Sequence, residues 1–330
     1  MEITMSQGSG GAATEELINS LFFKYFNNEY LLKADDSALV PGSGRIALTT
    51  DSFVVTPLVF PGGDIGRLAV CGTVNDLLMS GAQPKYLTAG FILEEGLDVG
   101  LLEKIVQSMA DCAGEAGVKI VTGDTKVIEG HGGLIINTAG VGFVKEGVSY
   151  GPENCRSGDV IILTGALGDH HMTILSHRMN IENDAVSDTA PLVDIIQNLI
   201  SHKTEIHAMR DVTRGGLGTV LNEFAERSGK QILIEEEVLP IHPGVSSFCN
   251  MLGLDPLYMG NEGKAVIAVG ESDAKRTLEI IKKSRYGEEA AIIGRISEPD
   301  GIGGEVVMRT PIGGLRIVNK MYGEGLPRIC

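Results

Sequence analysis

Carboxylates recur in four short polar segments of the first half of the chain, each beside Thr, Ser, Asn or Gly. The segments are Asp35-Asp36-Ser37-Ala38, Thr49-Thr50-Asp51, Asn75-Asp76 and Gly123-Asp124-Thr125-Lys126. We interpret them as acidic turns, because Asp and Asn favour turns. Carboxylate oxygens at turns suit a magnesium ion that holds a polyphosphate. For any single segment the commoner role of the Asp is to cap backbone amides. Only the set of segments taken together is therefore a candidate magnesium site.

A glycine-rich turn in the second half is a candidate phosphate site. The segment Arg210-Asp211-Val212-Thr213-Arg214-Gly215-Gly216-Leu217-Gly218-Thr219 leads into a predicted helix. Amides at a helix start and the positive end of its dipole favour an anion. Arg214 would add a fixed charge and Asp211 a metal ligand. A tight strand-to-helix turn would need the glycines but neither charged residue, and chemistry alone leaves both readings open. The chain has no Gly-x-x-x-x-Gly-Lys-[Ser/Thr] sequence, so it is not a P-loop ATPase.

Two further segments carry reactive groups. In Gly260-Asn261-Glu262-Gly263-Lys264, the Glu could act as a base or orient an amide, and a solvated turn is the alternative. Cys330 ends a stretch, 319–330, that we predict to be a flexible tail. Twelve extended residues reach about 40 Å, far enough to carry the thiol into a cleft elsewhere. A chance residue on a frayed terminus is the alternative for Cys330. Three histidines, His170, His171 and His177, favour a structural role over a metal cluster, since adjacent side chains point to different helix faces.

Composition limits the classes of partner. The 330 residues carry a net charge of −16, which disfavours nucleic acid and anionic membranes. An anionic substrate therefore needs a bridging cation, which would be magnesium for a nucleotide. The five cysteines are widely spaced and form no Cys-x-x-Cys pair, which indicates a reducing compartment. No signal peptide or transmembrane run is predicted, so we expect a cytoplasmic protein.

Strands and helices alternate irregularly, which predicts an α+β protein with two halves of similar size. In the first half we predict a mobile loop over 5–11, a helix over 14–32 capped by Thr14, and a helix that begins at Asp64, which caps it. The Gly, Pro, Asn and Ser residues of 147–157 mark the candidate domain boundary. The remaining predicted strands are 45–55, 86–93, 119–122, 133–144, 158–163, 231–235, 264–270, 290–296 and 305–309. The remaining predicted helices are 98–116, 169–180, 190–204 and 216–228.

Taken in order, these motifs resemble the HypE family of hydrogenase maturation proteins, in the ATP-dependent superfamily that includes aminoimidazole ribonucleotide synthetase. The resemblance covers essentially the whole chain, and its most specific part is the ending Pro327-Arg328-Ile329-Cys330. Two positions depart from the family pattern, Gln7 where His is usual and His171 where Gly is usual. The other matching segments are Asp35-Asp36-Ser37-Ala38, Thr50-Asp51-Ser52-Phe53-Val54-Val55, Pro61-Gly62-Gly63-Asp64-Ile65-Gly66, Gly72-Thr73-Val74-Asn75-Asp76-Leu77, Gly123-Asp124-Thr125-Lys126-Val127, Asp211-Val212-Thr213-Arg214-Gly215-Gly216-Leu217 and Gly260-Asn261-Glu262-Gly263-Lys264.

The resemblance implies a two-domain PurM-like (aminoimidazole ribonucleotide synthetase-like) α+β fold with a flexible C-terminal tail. The implied parts are an ATP-binding and dimerisation domain over 1–148, a C-terminal domain over 155–318 and the tail 319–330. It also implies a homodimer, the carbamoyltransferase HypF and the HypC–HypD complex as partners, and no nucleic acid or membrane.

The implied reaction is an ATP-dependent dehydration, in which an S-carboxamide on Cys330 becomes a thiocyanate that supplies cyanide to the iron of a nickel–iron hydrogenase. Lys126 and Glu262 would assist Cys330, with Glu262 as the base and Lys126 stabilising charge. Magnesium would be held by Asp36, Asp51, Asp76 and Asp211. ATP would be bound by Asp35, Thr50, Asp51, Asp124, Arg214, Gly215 and Gly216.

Two other functions fit parts of the pattern. A small-molecule kinase or synthetase of the same superfamily would use the same ATP site on another substrate. A non-enzymatic adaptor would present the tail to a partner, but such a protein has no use for the acidic segments.

Overall fold

A computed structural model describes residues 2–8, 12–33, 40–42, 44–299 and 303–320 of the chain. The chain divides into two compact units with the boundary between Glu146 and Gly147, and the short segment Leu78–Gly81 groups with the second unit. Across the described residues, no helix is long and apolar enough to cross a membrane.

The first unit is built on a sheet of four strands in the order β1-β6-β4-β5. Strand β6 pairs antiparallel with both β1 and β4, and β4 pairs parallel with β5. A separate two-stranded ribbon joins Val59–Phe60 (β2) and Gly63–Asp64 (β3). The sheet strands are Ile46–Phe53 (β1), Ala82–Glu94 (β4), Lys119–Ile128 (β5) and Leu134–Val144 (β6).

Two long helices of this unit, Ile65–Met79 (α3) and Val99–Ala116 (α4), lie close together. A Cβ on Gly66 would come within 2.4 Å of the Ile105 carbonyl oxygen, so this close approach requires glycine. Helix α4 begins after Asp98, whose side chain accepts from the Leu101 amide, and ends at Gly117 with a positive φ of 69°.

The segment before the sheet differs from its prediction. Helix Ala12–Leu17 (α1) continues through a π-helical turn, Ile18–Phe22, into Phe23–Tyr25 (α2), so Thr14 lies inside the helix and is not its cap. The predicted end at residue 32 is also wrong, because Asn28 accepts from the amides of Tyr30 and Leu31 in a separate turn. Met5–Gly8 forms a 3-10 turn within the predicted mobile loop, and the rest of that loop, 9–11, lies outside the described residues.

The second unit contains a sheet of seven strands in the order β13-β12-β9-β11-β7-β10-β8. All neighbouring pairs are antiparallel except β9 with β12, which are parallel. The strands are Val160–Leu163 (β7), Ile206–Asp211 (β8), Gln231–Glu235 (β9), Ala265–Val269 (β10), Ala291–Ser297 (β11), Val306–Arg309 (β12) and Leu315–Ile317 (β13).

Five α-helices lie in the described part of this unit, and two of them, α8 and α9, were not predicted. Helix α9 reads Ala-Lys-Arg-Thr-Leu-Glu-Ile-Ile-Lys-Lys and buries only Ala274, Thr277 and Ile281, so its apolar signal is short. The helices are Asp169–Arg178 (α5), Val193–Ser201 (α6), Gly216–Ser228 (α7), Pro243–Leu252 (α8) and Ala274–Lys283 (α9).

Candidate active site

Strand β1 and helix α3 form a carboxylate-lined wall in the first unit. Thr49 donates its hydroxyl to Asp76 Oδ2 at 2.7 Å, which ties the strand to the helix. One turn earlier on the helix, a Cβ on Gly72 would lie 3.4 Å from Asp51 Oδ2. Thr49 and Asp51 lie on one face of the strand, as Gly72 and Asp76 do on the helix. The carboxylates of Asp51 and Asp76 therefore line the same wall.

The acidic segments are not turns where the structure describes them. Asp51 lies inside β1, Asp76 inside α3 and Asp124 inside β5, so the turn interpretation is wrong for these three. Asp35 and Asp36 lie outside the described residues.

Thr50 points away from the wall, since side chains alternate along a strand. Its hydroxyl donates to the Thr138 carbonyl oxygen at 3.0 Å on the neighbouring strand β6. Thr50 is exposed, so it belongs to the open face of the sheet.

Lys126 and Asp124 pair on β5 at the far edge of this sheet. The Lys126 ammonium lies 2.7 Å from Asp124 Oδ1, with the side chains 63% and 67% exposed. The hydrogen bond from Lys126 lowers the pKa of Asp124. Asp51 pairs with Thr138, which pairs with Ala89, which pairs with Gly123, so β1 and β5 are three strand spacings apart. That separation is about 14 Å, and one copy of this unit cannot place Asp51 and Asp124 on one ion.

The second unit presents Asp211 and Arg214 at the junction of β8 and α7. Asp211 is the last residue of β8 and Arg214 is exposed. Gly215 and Gly216 both have positive φ, 84° and 64°. A Cβ on Gly216 would lie 2.5 Å from the Leu257 carbonyl oxygen, so packing alone accounts for this glycine. That packing does not account for the presence of Asp211 and Arg214 beside the glycines.

Glu262 is buried and not part of a solvated turn. Only 3% of the residue is exposed. Beside it, Asn261 donates to the Val212 carbonyl oxygen at 2.9 Å and accepts from the Gly168 amide at 2.7 Å. Asn261 thus joins the Glu262 loop to the loops that precede α7 and α5.

Asp188, which was not predicted, lies beside this loop and pairs with two of its residues. Asp188 Oδ1 accepts from the Glu262 amide at 3.1 Å, and Lys264 Nζ lies 3.6 Å from Asp188 Oδ2. The residues are distant in sequence, and Asp188 belongs to no motif that could have predicted its position.

A second set of charges lies at the start of α5. His242 Nδ1 lies 3.0 Å from Asp169 Oδ1, and His242 Nε2 lies 2.9 Å from Glu289 Oε1. The hydrogen bonds to Asp169 and then Glu289 raise the pKa of His242, while burial raises the pKa of Asp169.

The α5 histidines are structural groups. His170 Nδ1 lies 2.7 Å from Ser187 Oγ, and His171 Nδ1 accepts from the Gly260 amide at 3.3 Å. His177 is exposed. Within the described ranges, no three His, Cys, Asp or Glu side chains converge on a metal position.

Four cysteines of the described chain are buried free thiols: Cys71, Cys112, Cys155 and Cys249. Burial raises the pKa of Cys155 to about 12 and that of Cys249 to about 11, which makes these thiols poor nucleophiles. The fifth, Cys330, lies outside the described residues.

Two domain models cover most of the chain. Residues 34–144 match the N-terminal domain of AIR synthase related proteins, and residues 156–307 match the C-terminal domain. A thiamine-monophosphate kinase from Stenotrophomonas maltophilia K279a shares the fold at 19% identity, with a TM-score of 0.67 over 92% of this chain and 97% of the kinase chain. The chain is thus a two-domain AIR synthase-related protein.

Closer relatives narrow the family. The carbamoyl dehydratase HypE of Cupriavidus necator is 46% identical over 99% of this chain and 95% of that protein. A crystal structure of the hydrogenase maturation protein HypE in complex with ATP has a TM-score of 0.95 and 44% identity, covering 99% of both chains. The HypE chain of a HypE–HypF complex has a TM-score of 0.80 and 46% identity, covering 94% of this chain and 100% of that one. The chain belongs to the HypE carbamoyl dehydratase family.

Proposed function

We propose that the chain uses ATP to dehydrate a carbamoyl group carried on the Cys330 thiol, supplying cyanide for the iron of a nickel–iron hydrogenase. The observation that carries this proposal is the full-length similarity to carbamoyl dehydratase HypE, at 46% identity. The segment Pro327-Arg328-Ile329-Cys330 provides the carrier thiol. The other cysteines are buried, which leaves Cys330 as the candidate carrier.

The reaction needs an activated oxygen and a base. An amide oxygen is a poor leaving group, and ATP supplies the phosphoryl group that makes it a good one. The carbon–oxygen bond then breaks, the oxygen departs with phosphate, and both nitrogen protons are removed as the nitrile forms. The products are the thiocyanate of Cys330, ADP and phosphate. Glu262 is the proposed base, because a carboxylate oxygen can accept the protons that leave the nitrogen. Lys126 is proposed to stabilise the developing negative charge.

The carboxylate wall between β1 and α3 is proposed to hold the metal and the nucleotide in the first unit. Asp51 and Asp76 offer hard oxygen ligands that suit magnesium, and Thr49 orients Asp76 by its hydrogen bond. The ion would supply the positive charge that joins a triphosphate to a chain of net charge −16. Family resemblance also assigns Asp35, Asp36, Thr50 and Asp124 to nucleotide or metal binding, although Thr50 faces the other side of the sheet and Asp124 lies three strands away.

Within the second unit, Asp211 and Arg214 are the proposed metal- and phosphate-binding residues. Both are placed by the end of β8, and Gly215 and Gly216 bring the start of α7 next to them. Arg214 provides a fixed positive charge for a phosphate, and Asp211 a further oxygen ligand.

The proposed homodimer would form through the first unit. On the sheet face away from α3, the described part of the chain leaves Ile46 and Leu48 52% and 74% exposed. Apolar side chains on an exposed sheet face favour burial by a partner surface. A second copy covering this face would bury these apolar side chains. The other proposed partners are HypF and the HypC–HypD complex, and the proposed compartment is the cytoplasm.

Intact mass spectrometry tests the reaction. We expect a gain of about 43 Da after incubation with HypF, carbamoyl phosphate and ATP, which falls to about 25 Da when further ATP is supplied (group masses for a carrier thiol). Cys330→Ala should show neither gain, while its four buried cysteines serve as an internal control. ATP consumption on a small substrate, with no mass gain on the chain, would instead support a small-molecule kinase.

A further inference from the structure

Glu262 is held by a buried acid that no motif predicts. The Glu262 amide donates to Asp188 Oδ1 at 3.1 Å, and the Glu262 carbonyl oxygen accepts from the Ala190 amide at 3.3 Å. The residue after Glu262 must be glycine, because a Cβ on Gly263 would lie 2.0 Å from the Asp188 carbonyl oxygen. The segment 188–190 therefore fixes the main chain of Glu262 from both sides.

Asp188 is paired with the ammonium group of Lys264. Its side chain is 3% exposed and that of Lys264 is 10% exposed, with 3.6 Å between Asp188 Oδ2 and Lys264 Nζ. Among the described residues, no donor lies within hydrogen-bond distance of Asp188 Oδ2. A buried carboxylate is stable as an anion only beside a compensating charge, which Lys264 provides.

Lys264 is itself closely confined. A Cβ on Gly165 would lie 2.9 Å from Lys264 Cε and 3.3 Å from its Nζ, so the glycine makes room for the ammonium group. The Lys264 carbonyl oxygen also accepts from the Val212 amide at 2.9 Å, one residue after Asp211. The pair thus connects Glu262 to the loop that carries the charged residues of the second unit.

We propose that Asp188 is a positioning residue for the dehydration step, and that it acts by fixing the Glu262 main chain through Oδ1 while Lys264 compensates its charge. This inference rests on the proposed role of Glu262 as the base. A shift of a catalytic group by about 1 Å lowers a rate by about a hundredfold, so a single hydrogen bond at this position has a measurable effect.

Two double variants separate the hydrogen bond from the charge. Asp188→Asn with Lys264→Met removes both charges and keeps an Oδ1 acceptor for the Glu262 amide. Asp188→Ala with Lys264→Met removes both charges and the acceptor. Each is prepared as the full chain with a carbamoylated Cys330, and single-turnover dehydration is followed by intact mass together with ATP affinity and thermal unfolding.

We expect the Asp188→Ala, Lys264→Met chain to dehydrate about tenfold to a hundredfold more slowly at saturating ATP, with ATP affinity retained. The Asp188→Asn, Lys264→Met chain should recover most of the rate. Equal rates in the two double variants would overturn the proposal, as would a loss that follows ATP affinity and unfolding temperature and not turnover. Failure of the parent chain to dehydrate its carbamoyl group would reject the proposed function itself, which is a separate outcome.

Discussion

The hydroxyl of Thr49 on β1 donates to the carboxylate of Asp76 on α3 at 2.7 Å, and this bond orients an acid that faces the same wall as Asp51. Asp76 is half-buried, so the side chain has limited freedom to move. If Asp76 binds the proposed magnesium ion, this hydrogen bond holds its carboxylate in place for the ion.

Asp51→Asn and Asp76→Asn should each weaken ATP binding about tenfold or more when magnesium is present, because each removes a hard anionic ligand. The difference should shrink in the absence of magnesium. Calorimetric titration of ATP with and without the ion measures both. Asp111→Asn, which removes an exposed carboxylate from α4, is the matched control. Equal affinities for the parent and both wall variants would reject the assignment of magnesium to this wall.

Asp64 has a structural role that the sequence predicts correctly. Its Oδ1 accepts from the amides of Gly66 at 2.8 Å and Arg67 at 2.9 Å, which caps the start of α3. Asp64→Ala should cost about 1–2 kcal/mol of stability, the usual effect of losing such a cap. Burial raises the pKa of Asp64, so Asp64→Asn, which keeps a neutral acceptor, should lose less. Urea unfolding of the two variants compares them, and equal losses would show that charge, and not the acceptor, stabilises the helix.

Local signals explain which parts of the structure the sequence predicts. Asp64 and Asp98 act on amides within three residues, and both helices α3 and α4 begin after them. Strand β5 continues through Asp124 to Ile128 because the parallel pairing with β4 holds it, although Gly, Asp and Lys are poor strand formers. Its predicted end at Thr122 was therefore wrong, and the turn assigned to Asp124 with it.

Long-range contacts explain what the sequence could not predict. Glu262 is compatible with a solvated turn by composition. Its loop is held because Asp188 accepts from the Glu262 amide and the neighbouring Asn261 donates to Val212, both of which are distant in sequence. The separation of Asp51 from Asp124 depends on strand order, which no single segment encodes. Family resemblance suggested the site residues without placing any of them.

Variants of Lys126 test whether its exposed ion pair with Asp124 takes part in the dehydration. Exposed pairs contribute about 0–1 kcal/mol, so Lys126→Met should leave the unfolding free energy almost unchanged. If the ammonium stabilises charge in the dehydration, the same variant should slow single-turnover dehydration about a hundredfold. Lys126→Arg should recover part of that rate.

Lys24→Met is the matched control, because Lys24 pairs with Glu103 at 2.8 Å with both side chains exposed in the same unit. Dehydration by Lys126→Met at the parent rate would exclude Lys126 from the chemistry.

His171 gives the protein a defined acid sensitivity. Its Nδ1 accepts from the Gly260 amide, while Nε2 is buried and has no hydrogen-bond partner among the described residues. Burial lowers the pKa of His171 from 6.5 to about 4. The unfolded chain therefore takes up a proton near pH 6.5 that the folded chain does not accept until about pH 4. The stabilising contribution of neutral His171 is complete above pH 6.5 and is lost as the pH falls toward 4.

Between pH 7 and pH 4.5 the parent should lose about 2–3 kcal/mol more unfolding free energy than His171→Asn, which has no titrating ring. Denaturant unfolding across this range measures the difference, and His177→Asn, which removes an exposed imidazole from the same helix, is the matched control. Parallel pH curves for the parent and His171→Asn would mean that the folded protein admits the proton at Nδ1, which requires the Gly260 amide to give up its hydrogen bond to that atom. In that case the Gly260 loop, and with it the approach to Glu262, opens more readily than its hydrogen bonds indicate.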